Sequence, residues 1–210
     1  MYVPGHFRVT DQTIIKEFIQ QNHFATLVSY DGKRPVATHT LLDVEHDDDG
    51  TLLLNGHMSK ANPQWRTLDE ASAVLAIFAG PHTYISPRWY DHTNVPTWNY
   101  MSVHVYGTPR LITERSELLS LLKKLVDRYE ATSGATPVYQ MESLPEAFVD
   151  KELRGLVGFQ IRATQIDASF KLSQNRNQRD YETIIDELSK REDDNSLAIA
   201  AAMQTYRRAK

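Results

Sequence analysis

The sequence predicts a mainly β protein with added helices, an α+β chain whose strands run antiparallel in a sheet or barrel. Three observations carry that prediction. Apolar runs of strand length follow one another across short turns, without the crossover helices that parallel pairing requires. Asp31-Gly32, between the runs 24–30 and 35–43, is a strong hairpin spelling. The stretches 97–107 and 156–172 alternate over much of their length, the pattern of strands with two different faces. No Gly-x-Gly-x-x-Gly or Gly-x-x-x-x-Gly-Lys loop is present, which argues against a doubly wound nucleotide fold.

Thr10 or Asp11 caps a first helix over 11–22, with Ile14, Ile15, Phe18 and Ile19 on one face. The hairpin 24–30 and 35–43 follows, then a solvated acidic turn at 45–50. A third strand at 51–55 turns through Gly56 into a donor cluster and a short helix over 63–69 that starts at Pro63. The run 73–79 is apolar throughout and reads as a strand buried on both faces, ended by Gly80-Pro81. After an aromatic segment at 83–90, the long strand 97–107 stops at Thr108-Pro109. Leu118, Leu121, Leu122, Leu125, Val126 and Tyr129 give an amphipathic helix over 114–130, followed by a small-residue loop at 132–136. Ser143-Leu-Pro-Glu146 spells a capping box for a helix to about Leu153. The strand 156–172, a polar loop at 173–179 and two helices over 180–191 and 195–208 close the chain, the last capped by Asn195 or Ser196. Arg207, Arg208 and Lys210 complement its C-terminal dipole. The total is six or seven strands.

Composition narrows the function. The chain has 210 residues, 41% of them hydrophobic, enough to bury a sizeable core. A net charge of −4 argues against a general polyanion-binding surface. Absence of Cys removes disulfides, thiolate nucleophiles and thiolate metal sites, which fits a cytoplasmic protein. The first residues lack the apolar run of a signal peptide, and no stretch approaches the roughly 20 apolar residues that cross a bilayer.

The most informative stretch is 52–65. An apolar strand delivers His57, Ser59, Lys60 and Asn62 beside a helix start, a set suited to an anion. Three further clusters end strands: Ser86-Pro-Arg-Trp-Tyr90, Pro96-Thr-Trp-Asn-Tyr100 and Lys171-Leu-Ser-Gln-Asn-Arg176. Together they offer cations for a phosphate, amides and hydroxyls for a heterocycle edge, and rings for stacking. Trp89, Tyr90, Trp98 and Tyr100 are equally readable as core or subunit-interface aromatics. Metal ligation has no His-Glu-x-x-His or His-x-His spacing behind it, and the acidic turn lacks calcium-loop spacing. There is no Gly-x-Ser-x-Gly elbow and no clear DNA-reading helix.

Met1-Tyr-Val-Pro-x-x-Phe, Ala37-Thr-His39, Gly56-His-Met-Ser-Lys-Ala-Asn-Pro-Gln-Trp65, Gly80-Pro-His-Thr-Tyr-Ile-Ser-Pro-Arg-Trp-Tyr90, Val95-Pro-Thr-Trp-Asn-Tyr100 and Phe170-Lys-Leu-Ser-Gln-Asn-Arg176 resemble the PaiB family of FMN-binding negative transcriptional regulators. The resemblance spans nearly the whole chain. It implies an antiparallel split β-barrel of the flavin-reductase and pyridoxamine-phosphate-oxidase type, and a cytoplasmic homodimer holding FMN. On that reading residues 1–176 form the barrel domain, with inserted helices at 114–153, and 177–210 form a helical extension. Ser59 and Lys60 hold the phosphate, with His57 and Asn62 beside them. His39, Trp98 and Asn99 line the isoalloxazine, and Lys171, Gln174 and Arg176 close the site. A second phosphate charge is expected on the preceding strand, where Thr38 and His39 stand instead. Arg88, Lys171 or Arg176 then supplies it. The implied role is a flavin or small-ligand sensor in gene regulation, with indirect or weak DNA association. The alternatives are an FMN-dependent oxidoreductase on a small heteroaromatic substrate and a haem-binding split barrel using a His ligand. No catalytic residue and no metal ligand is assigned.

Overall fold

The computed structural model describes residues 1–69, 73–134 and 136–206. The expected basic tail, Arg207 to Lys210, and part of the expected loop at 132–136 lie outside these residues. In chain order the elements are β1 (Arg8–Val9), α1 (Gln12–Gln21), β2 (Phe24–Tyr30), β3 (Pro35–Leu41), β4 (Asp43–His46), β5 (Leu52–Ser59), β6 (Val74–Ile85), β7 (Thr97–Ile112), α2 (Arg115–Glu130), α3 (Glu146–Arg154), β8 (Leu156–Lys171), α4 (Gln178–Ser189) and α5 (Asp194–Thr205). The hydrogen-bonded strand order is β3-β2-β6-β7-β8-β5-β4, with β1 pairing β8. The β1–β8, β2–β3, β2–β6, β4–β5 and β5–β8 ladders are antiparallel. This is the antiparallel split barrel with added helices.

The chain divides into two compact units. The first holds Met1–Asn22, Phe78–His104 and the chain from Ile166 onward; the second holds His23–Ile77 and Val105–Gln165. In the first, α1 buries Ile15, Phe18 and Ile19, while α4 and α5 bury Ile184, Leu188, Ile199 and Met203. Phe18 meets Phe170 with ring centroids 5.1 Å apart, and Phe170 meets Tyr206 at 5.3 Å. In the second, alternate strand residues Leu27, Leu54, Ala76, Phe159 and Ile161 are fully buried, as period-two patterning requires. Ile112, Leu118 and Leu153 form a separate apolar cluster under α2 and α3.

Several boundaries differ from the sequence reading for identifiable reasons. The return strand of the hairpin stops at Leu41, and Asp43–His46 leaves to pair β5. Leu42 marks the change: it is 1% exposed and its N–H donates to the His23 carbonyl. The third strand does not turn at Gly56 but continues to Ser59. Gly56 is a close-packing position, where a Cβ would lie 2.6 Å from the Phe159 ring. β6 runs on through Gly80-Pro81. The β2 ladder uses only Leu75–Ile77 of β6, so the missing Pro81 N–H breaks no bond to β2. β6 is not buried on both faces: Val74, Ala76 and Phe78 are buried while Leu75 and Ile77 are half-buried. β7 continues through Pro109, whose fixed φ suits an extended chain. The capping box at Ser143 does not form. Ser143 instead donates to Gln140 O, and Pro145 precedes α3 without a side-chain cap. The short helix after Asn62 is a 3₁₀ turn, Pro63–Thr67, and α5 is capped by Asp193.

Candidate functional site

The expected site residues fall into both units. His39, His57, Ser59, Lys60 and Asn62 lie in the second; Arg88, Trp98, Asn99, Lys171, Gln174 and Arg176 lie in the first.

In the second unit, the end of β5 sets the geometry. The Lys60 N–H donates to the Gly155 carbonyl at 2.8 Å, which ties the turn to the start of β8. Ser59 is exposed, and its Oγ accepts from Ala61 N–H at 3.2 Å. Asn62 is spent on structure. Its Oδ1 accepts from Gln64 N–H, and its Nδ2 donates to Thr38 Oγ1 at 2.8 Å. Gln64 is buried and donates to Leu27 O and Ser29 Oγ, both at 3.0 Å, fixing the turn against the β2–β3 hairpin.

Lys60 lines a cleft of about 300 Å³ together with Thr113, Arg115 and Arg154. Arg115 is paired with Asp150 and Glu146. Lys60 and Arg154 have no ion-pair partner among the described residues, so two unpaired cations share the cleft with the Arg115–Asp150 pair. Sequence reasoning missed Arg154, because no motif links a residue at the end of α3 to the end of β5.

His57 lies elsewhere. It opens on a separate cavity of about 100 Å³ under α2, lined also by Asn55, Glu117 and Gln160. Burial lowers its pKa from the ordinary imidazole range. His39 is exposed on β3, its Nδ1 3.1 Å from Thr26 Oγ1 and its ring stacked with exposed Phe24 at 6.0 Å.

In the first unit, the polar groups largely serve the fold. Asn99 is fully buried and accepts from Ser173 Oγ at 3.1 Å. Gln174 accepts from Leu172 N–H at 2.8 Å and donates to Phe170 O at 2.6 Å, closing the end of β8 on itself. Lys171 donates to Thr97 Oγ1 at 2.5 Å; burial first, and the Arg176 charge second, lower its pKa. The Arg176 guanidinium stacks over Tyr90 at 4.8 Å. Arg88 and Trp98 remain exposed, Trp98 beside His82 and Tyr84. Asp91, His92 and Asp180 also gather. Asp180 is 1% exposed and accepts from Asp91 N–H at 2.9 Å, while His92 Nδ1 stands 2.8 Å from Asp91 Oδ1.

Solved structures place the fold in a class. The FAD and haem binding protein from Mycobacterium smegmatis superposes with a TM-score of 0.56 at 16% identity, over 78% of this chain and 73% of that one. The conserved hypothetical protein Rv2991 from Mycobacterium tuberculosis gives 0.58 at 17% identity, over 84% and 94%. These likenesses define the class by fold, an antiparallel split barrel.

Sequence comparison then gives the family. Residues 1–165 match the family described as "Putative FMN-binding domain", and the chain belongs to it. Protease synthase and sporulation protein PAI 2 of Bacillus subtilis is 40% identical over 204 residues, 97% of each chain, which places this protein among the PaiB-type members. The uncharacterized protein AN0679 of Emericella nidulans is 29% identical over 69% of this chain and 70% of its own. The family assigns FMN as the cofactor. The residues around Lys60 fit its anionic end: a hydroxyl, an ammonium and a guanidinium, the cations without carboxylate partners among the described residues.

Proposed function

We propose that this protein is an FMN-dependent sensor in negative gene regulation and that the cleft at the end of β5 takes the FMN phosphate. The observation that carries the phosphate assignment is that Lys60 and Arg154, neither of them ion-paired among the described residues, line one cleft whose carboxylate, Asp150, is held by Arg115. Thr113 adds a hydroxyl donor in the cleft, and exposed Ser59 precedes Lys60 in the chain. Arg154 thereby fills the place of the second phosphate charge expected on the preceding strand. The exposed His39–Phe24 stack offers a face for the flavin ring within the same unit. For Asn99 and Gln174 the internal bonds favour a role in shaping the fold over ligand contact. Arg88, Trp98, Lys171 and Arg176 are kept as secondary candidates in the first unit.

The regulatory role rests on the name of the Bacillus subtilis relative, which ties that protein to protease synthesis and sporulation. With a net charge of −4, action through a ligand or protein partner suits this chain better than broad DNA contact. A cytoplasmic homodimer and the division into a barrel domain, 1–176, and a helical extension belong to the same reading.

When bound, FMN supplies redox-active and light-absorbing chemistry; the chain's own residues bind and orient it. The test is direct. The purified protein should carry a flavin spectrum, and the released ligand should have the mass of FMN. Lys60→Ala and Arg154→Ala should each weaken FMN binding by about 1.5–3 kcal/mol, the value of a charge-assisted hydrogen bond. Riboflavin, which lacks the phosphate, should bind both variants as it binds the wild type. Equal FMN affinity in wild type and variants overturns the phosphate site, and a Soret band in place of a flavin spectrum replaces the reading with haem.

A further inference from the structure

The loop 171–176, at the end of β8 in the first unit, takes no part in the cleft at Lys60. Its backbone is locked from within. Leu172 N–H donates to Gln174 Oε1 at 2.8 Å, and Gln174 Nε2 donates to Phe170 O at 2.6 Å. Arg176 N–H donates to Ser173 O at 3.0 Å, and Ser173 Oγ donates to the buried Asn99 Oδ1 at 3.1 Å. Ser173 is 2% exposed and holds a φ of +61°, the one positive φ outside glycine among the described residues. Such a conformation is strained in a residue with a side chain and persists only where the surroundings fix it.

The two cations that this loop carries have no ion-pair partner among the described residues. Lys171 Nζ donates to Thr97 Oγ1 and lies 5.9 Å from the centre of the Phe7 ring. An ammonium has three N–H groups, so the Thr97 bond leaves two unused. Arg176 lies over the face of Tyr90, and Tyr90 Oη is buried with no hydrogen bond, so the stack uses none of the guanidinium N–H groups. Asp91, next to Tyr90 in the chain, is engaged by His92 and Arg179, and Asp180, in the first turn of α4, is engaged by Asn177 and the Asp91 N–H. The charge that acts on Lys171 is Arg176 itself: burial first and that guanidinium second lower the Lys171 pKa, and no carboxylate opposes them. Both side chains are half-buried. Partly desolvated like charges brought together in this way are unfavourable until an anion joins them.

We propose that Lys171 and Arg176 form a second anion site, for a small doubly charged oxyanion, a phosphate or a dicarboxylate, that accepts from the ammonium and the guanidinium together. Two cations match two negative charges, and the guanidinium fork pairs with two oxygens at once. The locked loop holds both cations in place before the ligand arrives, which limits the ordering cost of binding. The site needs no flavin, so it stands apart from the reading of the cleft at Lys60.

Lysine-labelled protein tests the site by NMR, the Lys171 signal being identified by its loss in Lys171→Met. At constant ionic strength, inorganic phosphate or succinate should shift that signal saturably, with acetate and chloride at least about ten-fold weaker. The tighter of the two dianions identifies the ligand class. Arg176→Gln should weaken that dianion about ten-fold while circular dichroism stays native. The same variant in chloride should bring the Lys171 titration back toward the ordinary lysine range, because the neighbouring charge is gone. Acetate or chloride acting as strongly as the dianions, no saturable shift, or an unchanged affinity in Arg176→Gln overturns the proposal. FMN titrated into Lys60→Ala separates this site from the cleft. A Lys171 shift caused by FMN and reversed by phosphate assigns the FMN phosphate to these cations and overturns a second site. Unchanged FMN affinity in Lys60→Ala with the Lys171 signal unmoved counts against the cleft alone.

Discussion

Lys60 and Arg154 show how residue chemistry and residue address differ. The motif around Lys60 announces an anion-binding ammonium, because a hydroxyl, an ammonium and a turn stand together in seven residues. Arg154 has no such local signal. It is one arginine among the charges of an amphipathic helix until α3 sets it beside the end of β5. Asn62 and His57 carry the converse lesson. Both have ligand-like chemistry in the same motif, but Asn62 is consumed by Thr38 and Gln64, and His57 points to another cavity. Gly107 is the sharpest residue-scale constraint. A Cβ there would lie 2.4 Å from the Arg162 carbonyl and 2.6 Å from Ile161 Cγ2. Gly107→Ala should therefore cost about 1–3 kcal/mol through overpacking. Urea denaturation checks it, and an unchanged midpoint would show that β7 and β8 are not so close at this point.

At the scale of elements, caps and packing stripes decide. Asp11 caps α1, accepting from Thr13 N–H at 2.8 Å and Ile14 N–H at 3.2 Å. Asp11→Ala should lower stability by about 1 kcal/mol, while Asp11→Asn, which keeps the acceptor, should lose only a fraction of that by thermal melting. The α2 stripe was legible from its leucines, whereas its partners were not. Leu118 packs with Ile112 and Leu153, drawn from a strand and from a second helix. Leu118→Ala should cost about 2–5 kcal/mol, and it should reduce FMN affinity too if loosening α3 moves Arg154; a stable, fully binding Leu118→Ala protein would contradict both. Strand ends were the least legible feature. Gly80-Pro81 and Pro109 look like stops because proline lacks an N–H. Whether that matters depends on whether a neighbouring strand needs the bond, and at Pro81 the β2 ladder has already ended.

For the whole molecule, two half-buried imidazoles set the mildly acidic limb of stability. Burial is the main cause of the lowered pKa at both His57 and His104; at His104 the N-terminal charge adds to it and Asp167 opposes it. Their folded pKa values lie below the unfolded value of about 6.5. Between the two values the unfolded chain binds more protons, so stability rises with pH across that window and falls as pH drops below about 6.5. Melting temperatures should decline between about pH 7 and 5, and His57→Gln should flatten part of the decline. A profile identical in His57→Gln would show that this ring does not titrate differently on folding.

The sequence by itself determined the strand-turn-strand order, the antiparallel class, the amphipathic helices and the family. These depend on local periodicity, turn chemistry and the order of long motifs, all of which are written along the chain. Tertiary structure alone decided the rest. It decided that Leu42 hands the chain from β2 to β5, that Gly56 is a packing contact with Phe159, and that the expected site residues divide between two units. It also set Arg154 beside Lys60 and left His57 facing a separate cavity under α2. The physical reason is common to all of these. Spacing along the chain fixes which face a side chain takes within its own element, but only the packing of elements fixes which groups it meets there and which of their hydrogen bonds are already made.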